Sequence, residues 1–165
     1  MPSIIRPRIN DFYNIPFTQE EVDFAIPFLE EDIPLYVDPF LLWKSPSQQD
    51  NALHSLITNN FNHLGFLVNK GKVADAIDII ISASECNEVG LGNSKTKDGK
   101  RIGEKLANSI LGVFSNIPQI QKSGFTHFEE VQLLVDNISK DRISDIACNF
   151  ISSFLIDYTI QQSEK

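Results

Sequence analysis

From Ile143 to Tyr158 apolar residues return every third or fourth position: Ile143, Ile146, Ala147, Phe150, Ile151, Phe154, Leu155 and Tyr158. That spacing lays a broad apolar stripe along one side of an α-helix, and such a helix needs a core to cover it. Asp141, just ahead of the stripe, is a suitable N-cap. The same period recurs upstream. Leu53, Leu56, Ile57, Phe61, Leu64 and Leu67 predict a helix that Ser47 caps and Gly71 stops. Ile77, Ile80 and Ile81 mark the inner face of a helix over 73–83, and Ile102, Leu106, Ile110 and Phe114 that of one ending near Asn116, before Pro118. Thr126 with Glu129 matches a capping box opening a helix over 128–135. Thr18 with Glu21 matches another, whose helix Pro27 keeps to about two turns.

Ile33-Pro34-Leu35-Tyr36-Val37 is aromatic and β-branched, bounded by Pro34 and Pro39. It predicts a short β element or extended crossing near residues 33–38. The expected fold is therefore mainly α, with an α+β arrangement as the variant. A chain of 165 residues fits one domain and buries enough surface to fold without a disulfide or metal staple. The expectation is a single domain over 1–165, whole or the N-terminal part of a longer protein.

The two cysteines, Cys86 and Cys148, stand far apart and outside any CxxC pattern, which favours a reducing compartment over a disulfide framework. Cys148 falls on the apolar side of the last stripe and reads as core. The N-terminus lacks a signal-peptide h-region, and no run approaches the roughly 18 apolar residues of a membrane span. The expected setting is cytoplasmic, without a membrane. A net charge of −8 repels phosphates at long range and disfavours indiscriminate nucleic-acid binding, while leaving room for a local basic patch or a metal-mediated contact.

Three polar regions are candidates for chemistry. The first is acidic: Asp11, Glu20, Glu21, Asp23, Glu30, Glu31, Asp32 and Asp38 fall in a span without lysine or arginine. Most read as a solvated face. Asp38 stands apart, because it ends an apolar run and precedes Pro39, where a carboxylate either caps a turn or holds a hard cation.

The second is the loop from Glu85 to Arg101. Its glycines Gly90, Gly92 and Gly99 and its basic residues Lys95, Lys97, Lys100 and Arg101 run into a helix start, a suitable cradle for an anion. Ser94 and Arg101 break the Walker A pattern, and no third glycine completes a dinucleotide fingerprint. Asp98-Gly99-Lys100 has the acid-x-lysine form of restriction-type nucleases, with Asp38 as its formal partner.

The third is the stretch from Asp136 to Asp145. Asp141 and Asp145 share one face at a helix start, where the dipole favours each by about 0.3–1 kcal/mol. Capping explains Asp141. Asp145 lies beside the apolar stripe, so an inward carboxylate there needs a partner such as Arg6, Arg8, Arg101 or a metal. His54, His63 and His127 form no ligand spacing with the cysteines, so the sequence indicates no zinc site. Glu85 and Glu88 beside Cys86 disfavour a nucleophilic thiolate.

The stretches from Asp32 to Leu42 and from Lys140 to Asp145, with 85–103 and 125–135 between and beside them, resemble segments of a family of uncharacterised bacterial proteins. The likeness covers most of this chain as the N-terminal part of longer proteins. It implies a genomic-island or phage-defence context and assigns no activity or residue role.

Two functions follow. The first is a metal-dependent, nuclease-like phosphoryl-transfer domain using Mg²⁺ or Mn²⁺. Asp38, Glu85, Asp136 and Asp145 would be its metal ligands, with Asp38, Lys100, Asp141 and Asp145 in the reaction. Gly90, Gly92, Lys95, Lys100, Arg101 and Arg142 would hold phosphate of a nucleotide or nucleic acid. The second is a non-catalytic domain that contacts a partner protein or the rest of a longer chain.

Overall fold

The computed structural model describes residues 7–29, 33, 35–84, 86 and 102–164. It is helical, as the apolar periodicity predicts, and divides into two units. The smaller holds the described residues 7–29, 33 and 35, with 159–164. The larger holds 36–84, 86 and 102–158.

In the smaller unit Arg8 organises the chain. Its backbone bridges Phe28, with Ile9 N–H donating to the Pro27 carbonyl (3.1 Å) and Leu29 N–H to that of Pro7 (3.2 Å). Its guanidinium donates to the Ile26 carbonyl and to Gln19 Oε1, and lies 4.7 Å over the Phe28 ring. Helix α1 (Ile9–Tyr13) follows. The Thr18–Glu21 box forms as expected, with Thr18 N–H donating to Glu21 Oε2 at 2.8 Å, but opens only a single 3-10 turn, Gln19–Glu21.

The larger unit is built on α3 (Gln48–Asn69), which α2 (Pro39–Lys44), α4 (Val73–Ser82), α5 (Glu104–Asn116) and α8 (Lys140–Phe150) all pack against. Ser47 caps α3 by accepting from Asp50 N–H, and Gly71, at φ +76°, ends the turn after it. Ile57, Phe61 and Leu64 of α3 are fully buried with Ile80 of α4 and Ile110 of α5. At Gly65 the helices close up: a Cβ there would stand 2.3 Å from Phe114 Cδ1, so only glycine admits this ring.

After α5 come α6 (Pro118–Ser123), a 3-10 turn over Phe128–Glu130, α7 (Val131–Leu134), α8 and α9 (Ser152–Ser163). Two expectations change here. The apolar stripe from Ile143 to Tyr158 is not one helix: it breaks at the buried Ile151, between α8 and α9. The N-cap of α8 is Ser139, whose hydroxyl accepts from Arg142 N–H, and Asp141 sits inside the first turn.

The short β element near 33–38 does not form, and among the described residues no named strand does. Proline at 39 supplies no N–H for a ladder. The N–H of Val37 goes instead to the buried hydroxyl of Ser144 on α8 (2.8 Å), so the segment runs as an extended crossing. Among the described residues no helix is long and apolar enough to cross a membrane.

Candidate metal centre

His54 sits on α3 one residue after buried Leu53 and three before buried Ile57, so the helix carries it inward, to 5% exposure. His127 and Glu129 come from the loop and 3-10 turn before α7. The residue between them, Phe128, is fully buried and packs edge-on against Phe61, with ring centroids 4.7 Å apart.

Asn62, two turns beyond His54 on α3, fixes that loop. Its Nδ2 donates to the Phe125 carbonyl (2.9 Å) and its Oδ1 accepts from Phe125 N–H (2.8 Å). Gly124, at φ +70°, makes the approach, and a Cβ there would lie 2.7 Å from the Asn62 amide carbon. A core anchor and a two-point backbone clamp thus set the position of His127 and Glu129.

The result is a group of three ligand-type side chains. His127 Nδ1 lies 3.4 Å from His54 Nε2, and His54 Nε2 lies 4.0 Å from Glu129 Oε2. All three ligand atoms fall within 4.8 Å of one another. Two donors each about 2.1 Å from a tetrahedral metal are about 3.4 Å apart, which the imidazole pair matches. Burial pushes the His54 imidazole below its ordinary pKa and His127 adds to this, against the opposing pull of Glu129. The ring is neutral at neutral pH, the form that ligates metal.

Both carboxylate oxygens of Glu129 are buried and lack a hydrogen-bond partner, as does Thr58 Oγ1, one turn along α3 from His54. An orphaned buried carboxylate is costly, and a cation between it and two imidazoles removes that cost. The indole of Trp43 on α2 covers His127, with centroids 4.3 Å apart. Asn51 of α3 ties α2 down by donating to the Ser45 carbonyl (2.8 Å) and the Leu42 carbonyl (3.2 Å).

A family model described as a domain of unknown function, DUF8370, matches residues 14–165. The chain belongs to that family. No curated protein and no solved structure matches it significantly. In this DUF8370 chain only some of the residues singled out from sequence fall among the described residues. Asp38 caps α2, its Oδ1 accepting from Phe40 N–H at 3.0 Å. The Val37–Ser144 hydrogen bond brings that segment onto α8, the helix of Asp141 and Asp145. Yet among the described residues Asp38, Asp136, Asp141 and Asp145 join no three-ligand group like that of the histidines. Asp136 is exposed, and Asp141 and Asp145 are half-buried. The Arg142 guanidinium donates to the carbonyl of Asn137. Arg8, considered as a partner for Asp145, is engaged by Ile26, Gln19 and Phe28. Glu85, Gly90, Gly92, Lys95, Lys100 and Arg101 lie outside the described residues.

Sequence reasoning passed over the histidines because 73 residues separate His54 from His127. Two signals were present: a histidine on the inner side of an apolar stripe, and the alternation His127-Phe128-Glu129 around a core aromatic.

Proposed function

We propose that this domain binds a divalent transition metal through His54, His127 and Glu129 and uses it for phosphoryl transfer of the nuclease-like kind. The orphaned carboxylate of Glu129, buried beside two imidazoles, carries the reading. Imidazole nitrogen favours Zn²⁺ or Fe²⁺ over Mg²⁺, and Mn²⁺ tolerates such a mixed set, so the expected ion moves toward Zn²⁺ or Mn²⁺. Three protein ligands leave a coordination position for water or substrate, the arrangement of hydrolytic zinc sites. In the reaction water adds across a phosphodiester: its oxygen joins phosphorus, the bond to one sugar oxygen breaks, and that oxygen leaves carrying a proton. A bacterial phage-defence setting, which the family resemblance implies, and a cytoplasmic one, expected from the sequence, suit an enzyme that cuts nucleic acid.

Stripped of metal with a chelator, the protein should bind one Zn²⁺ or Mn²⁺ per chain by calorimetry. An ion at a hundred times its Kd adds about 2.7 kcal/mol of stability, which is roughly 5–10 °C in melting temperature. Glu129→Gln and His127→Ala should each weaken binding by more than about 100-fold, since even outer-shell changes cost 10–100-fold. Metal-dependent cleavage of a labelled oligonucleotide should disappear with them. A melting temperature that no divalent ion moves would defeat the reading. The non-catalytic docking domain would then take its place, favoured by the apolar surface of α7, where Leu133 is 84% exposed beside exposed Leu134.

A further inference from the structure

Within eight residues of chain, Tyr36, Phe40 and Trp43 expose 40%, 44% and 38% of their surface. Each has an ammonium group over its ring. Lys44 Nζ lies 3.8 Å from the Trp43 centroid and 5.6 Å from that of Phe40, and Lys140 Nζ lies 4.6 Å from that of Tyr36. Phe40 and Trp43 meet edge to face at 5.6 Å, one turn apart on α2. Trp43 in turn rests on His127, so the Phe40–Trp43 pair adjoins the candidate metal centre.

We infer that this surface is a stacking platform for single-stranded nucleic acid, presenting the strand to the metal centre. The part about presentation rests on the phosphoryl-transfer reading; the binding itself requires no metal. Exposed aromatic rings beside mobile cations match a polymer that alternates flat bases with phosphates. A surface lysine leaves an aromatic face at small cost. A base stacking on Phe40 or Trp43 would therefore displace the Lys44 ammonium, which would pair with a neighbouring phosphate. Paired bases in a duplex offer no free face, so the platform selects single strands. Asp38 at the opposite end of α2, Asp141 near Lys140 and the net charge of −8 all oppose phosphate. Affinity must then come mainly from stacking, with shallow salt dependence: two lysines on two phosphates give a log–log slope of about −1.4 on a single strand.

Trp43 is the only tryptophan, so intrinsic fluorescence reads this surface directly. The metal-free full chain is titrated with a short oligothymidylate and with a duplex of equal length. Saturable quenching by the single strand is expected, with the duplex much weaker. Phe40→Ala and Tyr36→Ala, at exposed positions that leave the core intact, should each weaken binding roughly tenfold. An absence of quenching, equal binding of duplex, or wild-type affinity in Phe40→Ala would overturn the inference and leave the patch to a protein partner. The two readings fail separately. Quenching without any metal-dependent cleavage keeps the platform and removes the hydrolase, whereas metal-dependent cleavage without quenching does the reverse.

Discussion

The first turn of α8 and the loop before α7 both carry carboxylates beside the core, and they differ in what those carboxylates are given to do. At α8 the backbone absorbs the polar groups: Ser139 caps the helix, Arg142 serves the Asn137 carbonyl, and Ser144 accepts from Val37. Asp141 lies within the first turn, where the helix dipole favours negative charge. At the other region the amides near Glu129 are taken by the 3-10 turn and α7, and both carboxylate oxygens stay without a hydrogen-bond partner beside two imidazoles. An acid that has a local structural task is a poor candidate for a ligand. An acid that is buried without one is a good candidate.

The sharpest way to break this contrast is through Asn62, whose side chain hydrogen-bonds to neither His54, His127, Glu129 nor α8, and whose amide serves Phe125 twice. Asn62→Ala leaves a part-buried N–H and C=O unpaired. At about 1–3 kcal/mol for an unsatisfied buried group, the expected loss in urea unfolding is about 2–4 kcal/mol. Because the clamp positions His127 and Glu129, Zn²⁺ affinity should fall by about 10–100-fold as well, the range for an outer-shell partner. Wild-type metal affinity in a folded Asn62→Ala chain would show that the loop holds its shape without the clamp.

How far the sequence reached follows from the range of each interaction. Helices α3, α4 and α5 were legible because a 3.6-residue period is a local property, and Ser47, Gly71 and Pro118 mark ends locally. The break at Ile151 was hidden because the apolar stripe continues through it. Asp141 was mistaken for the cap of α8 since Ser139 and Asp141 both satisfy the rule, and packing chooses between them. The role of Asp38 was legible as one of two alternatives, turn cap or ligand, and its contact with Phe40 N–H fills the first. The meeting of His54 with His127 was out of reach, because it depends on Asn62 and Phe128 folding a distant loop onto α3.

A second, smaller effect belongs to the inner face of α8. Burial pushes the Cys148 thiol up from 9.0 to about 11, with Cys86 and Asp145 adding to the shift and Ser144 opposing it. A raised native pKa contributes stability that is complete below pH 9, the unfolded value. As pH rises from 9 towards 11 the unfolded chain ionises and the native one does not, so stability is lost at no more than about 1.4 kcal/mol per pH unit. Chemical unfolding across this range should show a steeper alkaline loss for the wild type than for Cys148→Ala. Equal slopes would place the thiol in contact with water.

The smallest effects test the helix-end side of the contrast. Ser139→Ala removes the hydroxyl that accepts from Arg142 N–H and should cost about 1 kcal/mol. Asp38→Ala should cost a similar amount, by freeing Phe40 N–H at the start of α2. Asp141→Asn keeps the shape and removes charge, so it should cost only about 0.3–1 kcal/mol, and the loss should fade with added salt because the dipole interaction is screened. Calorimetric Zn²⁺ affinity separates these variants from those at His127 and Glu129. All three should bind metal as the wild type does, since Ser139 and Asp38 serve backbone amides and Asp141 acts through the helix dipole. A large fall in affinity in Asp38→Ala or Asp141→Asn would mean that the acid-rich turn reaches the metal after all, and the distinction between an occupied carboxylate and an orphaned one would lose its force.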